Sequence, residues 1–184
     1  MARRAHLART WVAALGAATA FGCSPPQATF EQAERLELGA GAPKDEPRAA
    51  VLYQRACDRD FARACFNLAL MLERAQGVPQ DEPRAKGFFQ RACDLKLASA
   101  CTHLGEALED GRAGGRDTAE AMYLYREACD GRDAHGCLRL GLLLVSGAGG
   151  EFDEETLQSL FRRACEGGLP AGCLQLEKLT SPRL

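Results

Sequence analysis

Residues 81–101 read DEPRAKGFFQRACDLKLASAC, and this stretch decides the fold. Asp81 suits a helix N-cap, because its carboxylate accepts hydrogen bonds from the free amides of a first turn. Pro83 falls in that turn, where its missing N–H does no harm. Ala85, Phe88, Phe89 and Ala92 then recur at steps of three and four, one apolar stripe along a helix that ends near Cys93. A partner helix is expected from about Ala98 to Asp110, with Ala100, Cys101, Leu104, Gly105 and Leu108 on one face. No alternating β-branched run occurs, so strands are not expected.

The pattern recurs along the chain. Cysteines stand at 57, 65, 93, 101, 129, 137, 165 and 173, in pairs eight apart that repeat every 36 residues. Asp45, Asp81, Asp117 and Asp153 share one register; Leu52, Phe88, Leu124 and Leu160 share another, followed by Tyr53, Phe89, Tyr125 and Phe161. Ala56, Ala92, Ala128 and Ala164 precede the first cysteines, and Leu68, Leu104, Leu140 and Leu176 follow the second ones. Such self-similarity marks a repeat array. Gly77, Gly111 and Gly147 mark equivalent breaks. The units run 45–80, 81–116, 117–152 and 153–184. A partial unit at 29–44 opens the array, with Thr29 where a cysteine would sit.

Residues eight apart in one continuous helix lie ~12 Å apart, beyond the ~7 Å Cα limit of a disulfide. A turn must intervene, and Asp130-Gly131-Arg132-Asp133 or Glu166-Gly167-Gly168 supplies one. A bridge across that turn would staple an antiparallel hairpin. Metal ligation and redox catalysis are the alternatives. Both typically use Cys-x2-Cys spacing or matched histidines, whereas His103 and His135 occupy different columns. No metal or other cofactor is expected.

The N-terminus is a separate segment. Arg3, Arg4 and Arg9, with no acidic residue, precede an apolar run from Trp11 to Gly22, which reads as a secretory signal over 1–22. The run is too short to span a bilayer as a helix. Gly22-Cys23 and the tether 23–28 resemble a bacterial lipoprotein signal, in which Cys23 is lipidated; Ala20 stands where such signals usually carry leucine. Cleavage after Ala20 and an organelle presequence are the alternatives. With 1–22 removed, 20 basic residues face 25 acidic ones, a net charge of −5. That balance disfavours nucleic acid as a partner and leaves membrane attachment to Cys23 alone. Hydrophobic residues at 46% and charged ones at 26% describe an ordinary folded protein. Nine cysteines is an odd number, and Cys23 is the one outside the repeats.

The run Asp81-x3-Ala85-x2-Phe88-Phe89-x-Arg91-Ala92-Cys93, then Ala98-x2-Cys101-x2-Leu104-Gly105 and Gly111, resembles the Sel-one-like repeat, a relative of the tetratricopeptide repeat. Cysteines in both halves resemble the secreted bacterial cysteine-rich (Hcp) proteins. The resemblance covers about residues 29–179. It implies an all-α, right-handed α/α solenoid with a concave surface, an exported protein, and the pairings Cys57–Cys65, Cys93–Cys101, Cys129–Cys137 and Cys165–Cys173. Two departures stand out. Glu127 replaces the basic residue seen at Arg55, Arg91 and Arg163, and the last unit lacks a closing helix. Ala69, Gly105 and Gly141 form a small-residue column in which Glu177 ends the series, as expected of a solvated terminal unit.

The resemblance also implies where function lies. One helix of each pair lines the concave face in such solenoids, and the helices after the second cysteines carry polar ladders. Asn67, His103, Arg139 and Gln175 form one; Arg63, Ser99 and His135 form the other. These are candidate contacts to a peptide or protein partner, against the plain alternative of a solvated helix face. The expected function is a monomeric, non-catalytic interaction scaffold of the bacterial envelope or secreted space. The cysteine-rich family is also described as penicillin-binding or β-lactamase-like. Yet Ser24, Ser99, Ser146, Ser159 and Ser181 all lack lysine three residues on, and Ser-Asp-Asn and Lys-Thr-Gly are absent. Gly147–Gly150 joins two helices and follows no strand, so it is no phosphate cradle. A mitochondrial intermembrane-space assembly factor is a further alternative, which the Gly-Cys-Ser-Pro-Pro junction disfavours.

Overall fold

The computed structural model describes residues 25–41, 43–112, 114–148 and 152–181. The 1–22 signal and Cys23 lie outside the described residues. Within them run α1 (Pro26–Leu38), α2 (Glu46–Cys57), α3 (Ala62–Glu73), α4 (Glu82–Asp94), α5 (Ala98–Asp110), α6 (Thr118–Asp130), α7 (Ala134–Val145), α8 (Glu154–Glu166) and α9 (Pro170–Thr180). No strand occurs among the described residues. None of these helices is long and apolar enough to cross a membrane.

The four register aspartates are the caps of the even-numbered helices. Asp45, Asp81, Asp117 and Asp153 accept from the backbone N–H of Arg48, Arg84, Glu120 and Thr156 at 3.0, 3.0, 2.9 and 2.5 Å. Each helix then sends its aromatic inward: Tyr53, Phe89, Tyr125 and Phe161 are all buried. α1 starts at Pro26, inside the stretch read above as a tether. Pro26 sits in the first turn, where its fixed φ is already helical, and Phe30 is buried against the Tyr53 and Phe61 rings.

Each helix packs on the next, and two layers result. Odd helices neighbour odd ones, as Arg63 on α3 reaches Glu34 on α1 and Arg139 on α7 reaches Glu109 on α5. Even helices neighbour even ones, as Arg163 on α8 reaches Asp130 at the end of α6. The layers meet through the small-residue column. A Cβ on Gly105 would lie 2.7 Å from the Tyr125 ring, and one on Gly141 2.7 Å from the Phe161 ring. Glu177, in the same column, is exposed because no helix follows to cover it among the described residues.

The cysteines join helices pairwise as the resemblance implies. Bridges link Cys57 to Cys65, Cys93 to Cys101, Cys129 to Cys137 and Cys165 to Cys173, with Cα separations of 4.7, 4.8, 4.5 and 4.6 Å. The chain turns between them through one left-handed residue, at Asp60, Lys96, Arg132 and Gly168 in the four hairpins. Six of the eight cysteines are buried, but Cys165 is half-buried and Cys173 exposed. Exposure governs access of a reductant, so Cys165 and Cys173 are expected to be the first labelled when graded dithiothreitol is followed by alkylation and peptide mass analysis. Labelling of Cys57 or Cys65 first would contradict this placement.

Helices α1, α3, α5 and α7 end at a second left-handed position, filled by Gly39, Ala75, Gly111 and Gly147. Gly77 stands two residues beyond this column, so Gly77 is not the equivalent of Gly111 and Gly147; Ala75 is. An alanine there strains the backbone. Ala75→Gly is expected to stabilise the protein by about 0.5–1 kcal/mol, once the freer unfolded chain is set against the relief. Urea denaturation measures it, and a loss of stability would contradict the assignment.

Glu127 now has a physical account. Arg91 bonds Asp60, 31 residues earlier, at 2.9 Å. At the same offset in the next unit the charges are reversed, with Glu127 3.8 Å from Lys96. The substitution of Glu127 for arginine is thus matched by Lys96 in place of Asp60.

Candidate binding face

The odd helices carry the polar ladders, and the structure ties most of their members to neighbouring helices. The Tyr53 hydroxyl donates to Glu37 at 2.6 Å, and Asn67 lies near enough to favour its ionised form. Fourteen residues after the next aromatic, His103 stacks on Phe89 at 5.4 Å between centroids and meets Phe66 edge-on. Arg139 donates to Glu109 at 2.6 Å and lies by Tyr125, whose hydroxyl donates to the same carboxylate at 2.8 Å. Arg63 lies over the Phe30 ring at 4.7 Å and reaches Glu34 at 3.5 Å. Gln175 is half-buried on α9 and His135 exposed at the start of α7. His103 and Arg139 therefore present one edge outward while a ring or guanidinium anchors the aromatic beneath.

Burial pushes the Tyr125 hydroxyl well above its ordinary ionisation range; Arg139 pulls it down and Glu109 pushes it up again. Tyr53 is raised in the same way, by burial first and then by Glu37. The aromatic column explains why. Tyr53 and Tyr125 each face a glutamate, Glu37 and Glu109, whereas Phe161 is paired in the same register with Val145. Phe89 stands where Glu73 would face it, and Glu73 turns instead to the Arg112 guanidinium.

Between α5 and α7 the ladders open into a cavity of about 240 Å³, lined by Ser99, Thr102, His103, Glu106, Asp133 and His135. It brings three ladder residues, Ser99, His103 and His135, to one place. It also adds three that sequence reasoning missed. Thr102 is 4% exposed, and its hydroxyl donates to Asp133 at 3.1 Å. Asp133 simultaneously caps α7 by accepting from Gly136 N–H at 2.8 Å. The signal was available: Asp133 breaks the apolar column Phe61, Leu97 and Leu169, and Thr102 breaks Phe66, Leu138 and Leu174. The two departures fall 31 residues apart, at the offset of the Phe30–Phe61 contact, so one polar pair replaces one apolar pair.

A larger groove of about 640 Å³ lies on the other layer, between α6 and α8. Its floor is Leu140, Leu144 and Leu160, and its walls include Arg126, Ser159 and Arg163. Arg163 is already committed there, to Asp130 and to the Cys129 carbonyl. For metals, one group among the described residues brings three donor residues together, Cys93, Cys101 and Glu127. The two sulfurs are bonded to each other, so neither is a thiolate ligand.

A two-layer stack of antiparallel helix pairs with a 36-residue period defines an α/α solenoid of the tetratricopeptide-like class. The Sel1 repeat model matches residues 26–61, 62–97 and 98–133, and the chain belongs to the Sel1 repeat family. Those matches begin at α1, α3 and α5, so they pair α1 with α2, α3 with α4 and α5 with α6. The Cys57–Cys65 and Cys93–Cys101 bridges then join one matched repeat to the next.

Solved structures agree. A Sel1 repeat protein from Oxalobacter formigenes superposes with a TM-score of 0.76 at 25% identity, over 83% of this chain and 63% of that one. Helicobacter pylori cysteine-rich protein B gives 0.58 at 28% identity, over 72% of this chain and 96% of that one. A protective antigen of uropathogenic Escherichia coli gives 0.77 at 22% identity, which speaks for the fold alone. The chain spans 63% of the Oxalobacter protein and 33% of the Escherichia coli one. No curated protein sequence matches it.

Proposed function

We propose that the protein is an exported, non-catalytic scaffold that binds a protein or peptide along the face of its odd helices. One observation carries this reading. The odd-helix side chains are held in a fixed ladder, anchored on buried aromatics, with a polar cavity between α5 and α7. Such a face is preorganised, so little side-chain freedom is lost on binding. Export is supported by the four disulfides, which persist in oxidising compartments, and by the Arg-led apolar segment before Cys23. Lipidation at Cys23 is part of the proposal and predicts that Cys23→Ala releases the protein from membranes. The β-lactamase alternative draws no support from the serine contexts, and nitrocefin hydrolysis by the purified protein tests it.

The binding reading is tested by photo-crosslinking in the cell of origin. A photoreactive residue at Ser99 or Gln175 is expected to give a discrete adduct. One at Gln90, on α4 in the other layer, is expected to give none. Adducts from Gln90 alone, or from neither layer, would overturn the assignment.

A further inference from the structure

The array contains its own template for what the α5–α7 cavity accepts. Two repeats earlier, the same positions are Gln27, Phe30, Glu31, Glu34, Phe61 and Arg63. There the space is occupied from within. Arg63 lies over the Phe30 ring at 4.7 Å, its guanidinium reaches Glu34 at 3.5 Å, and Phe30 packs on Phe61 at 4.9 Å. Between α5 and α7 the carboxylate is kept, as Glu106 stands where Glu34 stood. The parts that filled the space are gone. His135 replaces Arg63, Thr102 replaces Phe30 and Asp133 replaces Phe61. What remains is a cavity of about 240 Å³ with two carboxylates, two imidazoles and two hydroxyls, and no guanidinium among its lining residues. It is smaller than the ~300–1,000 Å³ of a whole small-molecule pocket and suits one side chain.

We propose that this cavity receives an arginine side chain of the partner, whose guanidinium takes the place that Arg63 takes against Glu34. Glu106 is its principal acceptor. Asp133, already accepting from Thr102 and Gly136, adds negative charge to the wall. A planar guanidinium offers several donors to such a wall and also stacks on a flat ring, and His103, lying flat on Phe89, supplies one at the cavity edge. The proposal rests on the odd-helix face being the binding face and names the chemistry that this face reads.

The test uses the folded, disulfide-intact protein and two small probes, N-acetylarginine methylamide and its uncharged citrulline isostere, followed by 1H–15N NMR. The arginine probe is expected to shift amides of Ser99–Glu106 and Asp133–Gly136 saturably, and the citrulline probe to bind at least tenfold more weakly. Two variants separate the site from a general charge effect. Glu106→Gln is expected to weaken the arginine probe at least fivefold. His135→Arg, which restores the chain's own guanidinium, is expected to block it at least tenfold, and the spectrum itself reports whether each variant is folded. Equal binding of both probes, or an unchanged affinity in His135→Arg, would overturn the proposal. If the probes fail while crosslinks still arise from the odd-helix layer, the arginine assignment alone falls. Crosslinks from the other layer would remove the binding-face reading beneath it.

Discussion

Replacing Cys129 and Cys137 together by alanine is expected to lower the stability of the protein by about 3–4 kcal/mol. Closing so short a loop contributes roughly 2.5 kcal/mol through the unfolded chain. The remainder comes from the folded state. Both residues are 1% exposed, so losing two sulfur atoms leaves unfilled space in contact with close-packed neighbours. A Cβ on Gly136 would come within 2.5 Å of Ala128 Cβ, which shows how closely α6 and α7 approach at this bridge. The hairpin also sits inside the array, with α5 on one side and α8 on the other, so loosening it disturbs both neighbours. The equivalent change at Cys165 and Cys173 is expected to cost less, about 2.5 kcal/mol, because that bridge is open to water. Urea unfolding of both double variants makes the comparison. A larger loss at Cys165 and Cys173 would contradict the burial argument.

The second large effect lies in the Tyr125, Glu109 and Arg139 group. Glu109→Val removes the acceptor of a fully buried tyrosine hydroxyl and the partner of a half-buried guanidinium, at a cost of about 2–3 kcal/mol. Adding Tyr125→Phe to that variant is expected to recover at least about 1 kcal/mol, because the unsatisfied hydroxyl goes with it. The pair so created, valine and phenylalanine, is the one the next repeat already uses at Val145 and Phe161. Additive losses in the double-mutant cycle would contradict the coupling. The same group sets an alkaline limit. Burial raises the folded Tyr125 above its unfolded value of 10.0, so its contribution is complete below that pH and declines as pH climbs past it. Tyr125→Phe is therefore expected to flatten the loss of stability above pH 10.

Much of this architecture is legible without coordinates, because a repeat states each position four times. Asp45, Asp81, Asp117 and Asp153 announce helix starts, and the caps form as local chemistry dictates. Gly105 and Gly141 announce a close approach, since nothing larger than a hydrogen fits beside the Tyr125 and Phe161 rings. The face was harder to read. Asn67, His103 and Arg139 look like a free polar ladder, yet His103 and Arg139 are each half used on the aromatic fourteen residues before, a partnership set by the packing of one layer on the other. Column identity did not fix partners either. Glu37, Glu73 and Glu109 are equivalent, but Glu73 faces Phe89 rather than a tyrosine and bonds Arg112. Thr102 and Asp133 were legible in principle as paired departures from apolar columns. Their meaning needed the 31-residue offset that only the packed helices reveal.

The claim on which the rest depends is that eight cysteines staple four hairpins of one continuous array. Proteolysis of the unreduced protein at a pH that prevents exchange, followed by mass spectrometry, tests it most directly. Four linked peptides are expected, joining Cys57 to Cys65, Cys93 to Cys101, Cys129 to Cys137 and Cys165 to Cys173. Free thiols at these positions, or a bridge between cysteines of different hairpins, would contradict it.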